Sequence, residues 1–571
     1  MKIATYICAT VLLAIPATLC LGQTPGCQQT LAISSQFAPP LGSTYIPVDS
    51  WVYPAMSRLF SLGYVDTAYL GMKPWTRWSI VNILLETRDK IASADSESEA
   101  CSIYHALERE VAPDVEQFNA AHGGVNTKLE SVYTRMLGVT GTPLRDSFHL
   151  GQTIINDYGR PYQEGFNNVT GFSARSQAGR FALYFRGEYQ HAPGAAGYSI
   201  PLSAQLSTID NISFASNPNQ ATIPTGPIPA ANNFRILEAT LSYRLMNHEI
   251  SFGKNDHWLG PAYGGSFAGS NNADNMYSFE INRVEPLDIP LLSRVTGPFR
   301  YQFFVGSLQG HTAPNSPWMH LEKLSFKPTD NLELGFERTV IWGGKGHSPI
   351  TVGSFLKSFF SVANVMAEEK FSRDDPGARF SAFDFSYRLP FVRNWLTLYT
   401  DSFAHDDVNP ISAPRRATIR PGIYLSHFPG VKKLDFRAEA ASTDPPTSRS
   451  MQGGFIYAEG VQLQGYTNKG FIMGDWIGRE SKGGQGWLTY HLSPNEEAQF
   501  SYRNAKAAKD FIPGGTTQNL YQASVVKRIH RDFEVRGWVQ HEQWQAPIYK
   551  TGRQSNTSVM TQFTWYPELQ K

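Results

Sequence analysis

The amino-acid sequence predicts an all-β protein, a transmembrane antiparallel barrel with an α-helical segment on its N-terminal side. Apolar and polar residues alternate over most of the chain, which is typical of strands with two different faces. Aromatic residues make up 13% of the chain, while the mean hydropathy is slightly negative. Beyond the N-terminus no segment approaches the roughly 18 apolar residues of a membrane-spanning helix. These observations favour two classes, a secreted β-protein and an outer-membrane barrel.

The first residues have the features of a secretory signal peptide. Lys2 supplies a short positive region, an apolar run follows it, and small residues stand near Gly22. We therefore expect residues 1–22 to be a signal peptide.

Two of the four cysteines, Cys27 and Cys101, follow the expected signal peptide. Two cysteines in a long exported chain are too few for a disulfide scaffold. They could form one bridge or be unrelated thiols, and the sequence leaves both interpretations open because it does not show their distance.

Residues 45–122 have helical periodicity and are predicted to form a helical plug or periplasmic segment. Asp49 or Ser50 can cap the first of three short amphipathic helices. Pro113 should bend or end the third helix, because proline lacks the N–H group that a helix interior needs. The apolar stripes that must be buried are Val52, Met56, Leu59 and Phe60, then Ile80, Ile83, Leu84, Thr87 and Ile91, then Ile103, Ala106 and Leu107.

From about Lys128 the period of the apolar residues changes to two, and we assign residues 123–571 to a β-barrel. In FALYFRGEYQ one face carries Phe181, Leu183, Phe185 and Tyr189, and the other carries Arg186, Glu188 and Gln190. We count roughly 16 to 20 such segments, each of about 9 to 11 residues. Their polar faces are too charged to form a second buried layer. A closed barrel, in which every strand edge is paired, accounts for this pattern.

Aromatic residues cluster near the ends of these segments, as the interfacial girdles of a barrel would. They are Trp258, Tyr263, Trp342, Phe359, Phe360, Trp395, Tyr399, Trp476, Trp487, Trp565 and Tyr566. A barrel of this size encloses a lumen that must be a water channel or be plugged. The helical segment is the obvious plug.

Composition and motifs exclude several functions. Basic and acidic residues balance to a net charge of +1, and without a basic block we expect no nucleic-acid partner. The glycine-rich stretch DHWLGPAYGGSFAGSNNADN, residues 256–275, lacks the Gly-Lys-Ser/Thr sequence of a phosphate-binding loop. No HExxH or CxxC spacing and no G-x-S-x-G motif occur, so we expect no metal, no cofactor and no enzymatic activity.

The remaining candidates are polar loop residues of types that suit sugars. Aromatic rings cover the apolar faces of sugars, while guanidinium, amide and carboxylate groups bind their oxygens. A purely structural role in the loops explains each of these residues as well. The candidate polysaccharide-binding residues are Trp342, Asp406, Asp407, Arg415, Arg416, Asn271 and Asn272.

Several longer stretches resemble the Wzi capsule-assembly family. They include YIPVDSWVYPAMSRLFSLGYVDTAYLGMKPWTR, FGKNDHWLGPAYGGSFAGSNNA, DPGARFSAFDFSYRLPF, GYTNKGFIMGDWIGRE and YRNAKAAKDFIPGGTTQN. The resemblance extends from about Tyr45 to Pro567. The second stretch matches only approximately, because Leu259 stands between Trp258 and Gly260.

The resemblance implies an 18-stranded outer-membrane barrel with a periplasm-facing helical plug. It implies a lectin that holds capsular or similar polysaccharide at the cell surface and catalyses no reaction. Individual sugar-contacting residues do not carry over, because extracellular loops are the least transferable part of such a family.

We therefore expect a monomer in the cell outer membrane, in contact with membrane lipid and surface polysaccharide. Its function would be to bind that polysaccharide and to assist capsule assembly or surface attachment. The alternative is a porin or outer-membrane transporter gated by the helical segment. If the helices alone plug the lumen, deletion of residues 45–122 should open a pore. A glycan hydrolase on a barrel scaffold is disfavoured by the missing motifs.

Overall fold

The structure, a computed structural model, describes residues 26–32, 41–119, 125–361, 365–366, 368–405, 417–445 and 452–567. Within these ranges eighteen antiparallel strands form one sheet. The sheet closes on itself, because the first strand pairs with the last, with Val132 opposite Trp565 and Thr140 opposite Thr557. The predicted all-β antiparallel barrel is confirmed. The expected signal peptide lies outside the described residues.

Each strand of the barrel pairs with its neighbours in sequence order. The strands are β1 (Asn126–Thr140), β2 (Gly165–Ala178), β3 (Phe181–Ala192), β4 (Ala231–Leu245), β5 (His248–Lys254), β6 (Tyr277–Arg283), β7 (Phe299–Ser307), β8 (Trp318–Thr329), β9 (Leu332–Trp342), β10 (Ala378–Arg388), β11 (Leu396–His405), β12 (Thr418–Leu425), β13 (Leu434–Ser442), β14 (Ser481–Ser493), β15 (Glu496–Ala507), β16 (Thr516–His530), β17 (Phe533–Ala546) and β18 (Lys550–Trp565).

The alternation read from the sequence corresponds to an outer and an inner face. On β3 the side chains of Phe181 and Leu183 are 52% and 48% exposed on the outside, whereas Glu188 and Gln190 are 0% and 2% exposed inside. An apolar outer face and a polar lumen are what a barrel in a lipid membrane requires.

The two ends of the barrel differ in the length of their connections. At one end most connections are short, such as Met246 and Asn247 between β4 and β5, and residues 284–298 are a long exception. Met246 and Asn247 have positive φ (48° and 62°), as tight hairpin turns require. We call this the plug end. At the opposite end, the loop end, the long connections include residues 141–164, 193–230, 255–276, 343–377 and 443–480.

Three N-terminal helices form the plug, which we define as residues 41–119. They are α1 (Val52–Ser61), α2 (Arg77–Ile91) and α3 (Glu99–Asn119). The predicted apolar stripes are confirmed, since they pack into one buried core that includes Val52, Met56, Leu59, Ile80, Leu84, Ile91, Ile103 and Leu107. Three further short helices lie in the connections between strands: α4 (Ile200–Ile209), α5 (Ser293–Thr296) and α6 (Val352–Phe360). No helix in the described ranges is long and apolar enough to cross a membrane.

The prediction was that Pro113 bends or ends the third helix, and the helix does not end there. Helix α3 continues through Pro113 to Asn119. The residue after the proline, Asp114, is buried and bonded to Arg77 of α2 and Arg175 of the barrel wall, both at 2.8 Å. Tertiary contacts therefore hold the last turns of the helix despite the missing backbone hydrogen bond.

A short N-terminal segment, residues 26–32, is fastened to α3. Cys27 and Cys101 are joined by a disulfide bond. The backbone N–H groups of Thr30 and Leu31 donate to Glu108 Oε1 at 3.0 and 3.1 Å. Of the two interpretations that the sequence left open for these cysteines, the structure contains the bridge.

The prediction of aromatic girdles is wrong for four of the named residues. Trp258, Tyr399, Trp476 and Trp487 are buried, between 2% and 7% exposed. Trp258 and Trp476 stand in connections that fold into the lumen, whereas Tyr399 and Trp487 occupy inward-facing positions of β11 and β14. Trp565 is 36% exposed and remains on the outer surface.

Candidate functional site

The glycine-rich stretch 256–275 runs through the lumen and is held by carboxylates of the barrel wall. Phe267 N donates to Asp401 Oδ2 at 2.8 Å, and Gly264 N donates to Glu439 Oε2 at 3.0 Å. The backbone approaches the wall so closely that a Cβ atom on Gly264 would lie 2.7 Å from the Trp487 ring. Glycine is therefore required here for a close approach, and the stretch is an architectural element.

A second long connection, residues 452–480, packs against the first. Tyr457 Oη and Tyr466 Oη donate to the carbonyl oxygens of Phe267 and Ala268 at 2.9 and 2.6 Å. Trp476 Nε1 donates to a carbonyl oxygen of the first connection at 2.8 Å. Their apolar side chains share one buried core, to which Phe148, Leu259, Phe267, Ile456, Tyr457, Tyr466, Ile472 and Trp476 belong. We call residues 255–276 and 452–480 together the loop seal.

The connection 141–164 joins the loop seal through a buried charged cluster. His149 Nδ1 and Nε2 bond to the carboxylates of Asp146 and Asp210, both at 2.9 Å. Arg479 Nη1 also donates to Asp210, at 2.7 Å. Burial opposes protonation of the imidazole, but the two carboxylates outweigh it and raise the pKa of His149 to about 9. At neutral pH the imidazolium therefore joins two connections through Asp210, and Arg479 joins a third to the same carboxylate.

The plug is attached to the wall by guanidinium groups that reach backbone oxygens. Arg58 of α1 is buried and donates to the carbonyl oxygens of Ser426 and Lys432 at 2.6 and 2.9 Å. The same guanidinium forms a bidentate pair with Glu99 at 2.7 and 2.8 Å. These bonds tie two plug helices to the short connection between β12 and β13.

Further charged side chains of the wall hold the plug elsewhere. Arg186 forms a bidentate pair with Asp49 at 3.0 and 2.8 Å. The Glu333 carboxylate accepts from Leu70 N and Gly71 N at 2.7 and 3.0 Å. Arg186 and Glu333 are themselves buried, so without its plug partner each would be left as an uncompensated buried charge.

The plug and the loop seal meet inside the barrel. Lys73 and Trp258 form a two-way backbone bridge, in which each N–H donates to the other's carbonyl oxygen at 3.0 Å. The Lys73 ammonium lies 5.8 Å from the centre of the Trp258 ring. Burial lowers the pKa of Lys73 to about 8. The lumen is thus filled from both ends by elements in direct contact.

A cavity of about 400 Å³ lies beside the plug. Its walls are α1, the connection 141–164 and the inner faces of β14 to β18. Pro494 and Asn495, in the short connection between β14 and β15, are among its lining residues, so the cavity reaches the plug end. Its volume lies within the range of small-ligand sites.

Amide and hydroxyl side chains on neighbouring strands form the inner wall of this luminal cavity. Ser501 lies on β15, Gln522 and Ser524 on β16, and Gln540 on β17. Gln540 Nε2 donates to Thr153 O at 3.2 Å. Because each amide both donates and accepts, a row of them can bond several hydroxyl groups of one ligand.

Aromatic rings lie on three sides of the same cavity. Trp51 comes from the plug, Tyr263 from the loop seal and Trp538 from β17. Trp51 and Trp538 are half-buried, so part of each ring faces the cavity. Flat rings beside amide and hydroxyl groups are the combination that binds sugar rings.

Some of the charged groups around the cavity have partners. Arg135 bonds to Asp157 at 3.0 and 2.9 Å. Arg503 donates to Gln152 O and Thr153 O at 3.1 and 2.9 Å, and its guanidinium lies 4.8 Å from the centre of the Trp476 ring. Arg503 Nε and Nη1 have no hydrogen-bond partner among the described residues, and Arg536 and Glu497 also line the cavity. A ligand would therefore meet charged as well as neutral hydrogen-bonding groups.

None of the three proposed residues that the structure describes, Trp342, Asn271 and Asn272, lines this cavity. Asn271 and Asn272 are buried in the loop seal, where the Asn272 side chain donates to Ile472 O at 3.0 Å and accepts from Asn156 N at 3.1 Å. A sugar contact at either asparagine would require the loop seal to open.

Trp342 lies on the outer face of the barrel, opposite Trp318 of the neighbouring strand. It is 4% exposed, because helix α6 covers it. Asp406, Asp407, Arg415 and Arg416 lie outside the described residues. Sequence reasoning missed the cavity residues, because Gln522, Ser524 and Trp538 look like ordinary members of polar strand faces. Only the strand pairing places them together.

Among the described residues one group has the composition of a metal site, namely Cys27, Cys101 and His105. The two sulfur atoms are bonded to each other, so neither is available as a thiolate ligand. The absence of a metal and of a cofactor stays a prediction.

Comparisons with known proteins agree with this architecture. The Wzi protein of Escherichia coli, an outer membrane protein involved in group 1 capsule assembly and a carbohydrate-binding β-barrel, has a similar fold. Its structure matches with a TM-score of 0.65 at 17% identity, over 91% of this chain and 98% of that chain. An uncharacterized 55.8 kDa protein in the cps region of Klebsiella pneumoniae is 27% identical over 202 residues. That match covers 35% of this chain and 38% of the relative.

Residues 136–559 match the family described as capsule assembly protein Wzi. The match spans most of the barrel, from the middle of β1 to β18. With the closed barrel, its apolar outer face and the N-terminal helices, it establishes an outer-membrane location, the short connections then facing the periplasm. The chain is a member of the Wzi family of capsule assembly proteins.

Proposed function

We propose that this protein is an outer-membrane lectin that binds capsular or related surface polysaccharide and assists its assembly or attachment at the cell surface. The observation that carries the proposal is the luminal cavity, which is lined by aromatic rings, amides and charged side chains inside a barrel that the plug and the loop seal fill. Membership of the Wzi family and the fold shared with a carbohydrate-binding barrel support it.

The cavity has the chemistry of a sugar site. Trp538 and Trp51 offer ring faces to the apolar side of a pyranose, while Gln522, Ser524 and Gln540 offer donors and acceptors to its hydroxyl groups. Since the cavity reaches the plug end, a glycan would enter it from the periplasmic side. A segment of one or two sugar units matches the volume of about 400 Å³.

The alternative function, a porin or gated transporter, has less support. A channel needs a continuous water path, whereas the plug and the loop seal fill the lumen and are bonded to each other through Lys73 and Trp258. Opening such a path would break the buried pair of Arg186 with Asp49 and the bonds of Arg58 to the wall. Such groups fix the plug in place rather than allowing it to swing.

The experiment that tests the proposal is equilibrium binding of the host's own surface polysaccharide to the purified full-length protein. We expect binding by the wild type and a three- to tenfold weaker affinity for Trp538→Ala, from the roughly 1 kcal/mol of a lost aromatic contact. Trp565→Ala is the matched control, because Trp565 lies on the outer surface at the end of β18.

The binding should leave the polysaccharide chemically unchanged. After prolonged incubation with the protein, the polysaccharide should have the same chain length as the untreated glycan. A shorter polysaccharide would support the hypothesis of a glycan hydrolase. No binding by the wild type, together with unchanged capsule retention in a strain that lacks the protein, would contradict the lectin proposal.

A further inference from the structure

Helix α6 lies on the outer surface of the barrel. Phe359 stacks on His320 of β8 with ring centres 5.1 Å apart and contacts Phe303 of β7 at 5.2 Å. Phe355 packs against Trp342 at the end of β9, at 6.1 Å. These strand residues alternate with inward-facing neighbours such as Leu321, which belongs to the buried core inside the barrel. The helix therefore covers the outer wall near the loop end.

The face of α6 that points away from the wall is apolar. Val352, Leu356 and Phe360 recur every four residues and are 78%, 47% and 70% exposed. The opposite face carries Ser354 and Ser358, which are buried against the barrel. A surface helix in water normally presents polar residues outward, so this stripe lacks a partner in the described part of the chain.

Beneath α6 the outer wall is polar, which is unusual for a membrane barrel. His320 is 0% exposed, bonds to Ser358 Oγ at 3.0 Å, and pairs with Glu322 at 2.6 Å. Arg338 donates to Ser358 O and Ser361 O at 3.0 and 2.6 Å. The guanidinium thus satisfies carbonyl groups at the C-terminal end of the helix. Charged groups on the outer face of a barrel are costly in contact with lipid, and α6 shields these.

The exposed stripe continues the apolar band of the barrel. Trp318 and Leu324 of β8, the strand that α6 crosses, are 44% and 38% exposed on the same outer face. Lys357 lies beside the stripe and pairs with the exposed Asp374 at 2.9 Å. Three side chains offer far less surface than the roughly 800 Å² per partner of a stable protein interface. Lipid is the occupant that fits both the extent and the continuity of this surface.

We propose that α6 is immersed in the outer leaflet of the membrane, where Val352, Leu356 and Phe360 contact lipid acyl chains. The helix acts as a lipid-facing cover that extends the barrel sideways and shields a charged patch of its wall. The same connection reaches the loop seal, since Lys370 pairs with Glu459 at 2.8 Å. Lipid contact at α6 thereby supports the outer closure of the lumen.

Spin labels test this placement in the full-length protein reconstituted in phospholipid vesicles that contain no other protein. Single labels are attached at Leu356→Cys and Phe360→Cys, with Val539→Cys on the exposed outer face of β17 and Val431→Cys in a plug-end connection as references. The measurement is the ratio of collision rates with oxygen, which concentrates in lipid, and with a water-soluble nickel chelate.

We expect the labels on α6 to give a ratio close to that at Val539 and several-fold above that at Val431. A ratio equal to that at Val431 would place the stripe in water and overturn the proposal. Protection from both reagents would mean that protein covers the stripe, and this also overturns it.

A charge substitution gives an independent test in the same vesicles. Leu356→Asp should lower the urea midpoint of unfolding, because it places a carboxylate among acyl chains. Lys357→Gln is the matched control, since Lys357 lies on the next position but outside the stripe, and its midpoint should stay near that of the wild type. Equal midpoints for the two variants would contradict immersion of α6.

Discussion

The two ends of the lumen are closed by different means. At the plug end, helices are attached to the wall by charged side chains, among them Arg58 and Arg186. At the loop end, two long connections pack around a shared apolar core and bond backbone to backbone, as Ser270 N does with Met473 O at 2.8 Å. One closure is an inserted unit, whereas the other is made by the barrel's own connections.

The difference follows from how each element finds hydrogen-bond partners for its backbone N–H and C=O groups. Helices bond internally and leave free carbonyl groups only near their ends, so a wall side chain can hold them there, as Arg388 Nη1 holds Phe60 O at 2.8 Å. Irregular loops must find partners for every N–H and C=O group, and two loops side by side supply them for each other. We infer that each closure is held mainly by its own contacts, besides the bridge between Lys73 and Trp258, so one can be weakened while the other persists.

The largest effect is expected from Arg58→Met. The substitution leaves Glu99 and two backbone carbonyls without their donor in a buried site. Removing one partner of a buried pair costs about 3–5 kcal/mol. Hydrogen exchange should accelerate in the plug and stay unchanged in the loop seal. Equal acceleration in both regions would show that the closures are coupled.

The converse variant is Leu259→Ala in the loop seal. Leu259 is fully buried, and truncation of such a leucine costs about 2–5 kcal/mol. Protease cleavage within residues 255–276 or 452–480 should become faster, while the plug stays protected. Leu488→Ala on the outer face of β14, where the side chain is 39% exposed, is the control and should leave cleavage unchanged.

Loss of the disulfide bond between Cys27 and Cys101 should destabilise the plug and leave the barrel folded. The bond joins residues 74 positions apart, and such a link contributes about 2–4 kcal/mol, mainly by restricting the unfolded state. Cys101→Ser is expected to raise hydrogen exchange in α3 without loss of the barrel, as measured by heat-dependent mobility on gels. Unchanged exchange in α3 would mean that the salt bridges of the plug hold this helix in place without the disulfide bond.

The smallest effect is the pH response of the loop end. The pKa of His149 is raised to about 9, above the roughly 6.5 of an unfolded chain, so its contribution is complete below pH 6.5 and is lost as pH rises toward 9. Between pH 7 and pH 8 the loss is about 1 kcal/mol. Exchange in residues 141–164 should increase over this interval.

His149→Gln tests the origin of that response. Because glutamine does not titrate, exchange in residues 141–164 should be faster than in the wild type at pH 7 and should no longer change with pH beyond the intrinsic chemical rate. A persisting pH response would assign the effect to other groups, of which Asp146, Asp210 and Arg479 are the nearest.

The barrel and the plug helices could be predicted because their residues obey simple periodicities. The two faces of β3 and the buried stripe of α1 follow from spacings of two and of three to four residues. The end of α3 could not be predicted, since bonds of Asp114 to distant arginines outweigh the signal of Pro113. The local sequence indicates only local backbone preferences, whereas contacts with distant residues determine where helix α3 ends.

The candidate site was beyond the reach of the sequence for a related reason. Trp258 and Trp476 have the residue type of an interfacial girdle, and nothing local indicates that their loops turn into the lumen. Gln522 and Trp538 lie on separate strands and meet only through the pairing of β16 with β17. Residue types suggested sugar binding, but their placement required the fold.

Single-channel conductance in planar bilayers shows most directly whether the lumen is closed twice. The sequence alone predicts that deletion of residues 45–122 opens a pore, whereas two independent closures predict no resolved channel in the full-length protein and none in that variant, because the loop seal remains. Folding of the variant is checked by its heat-dependent mobility. A steady open channel in the full-length protein would contradict the account, and one in the folded variant alone would show that the loop seal does not close the barrel without the plug.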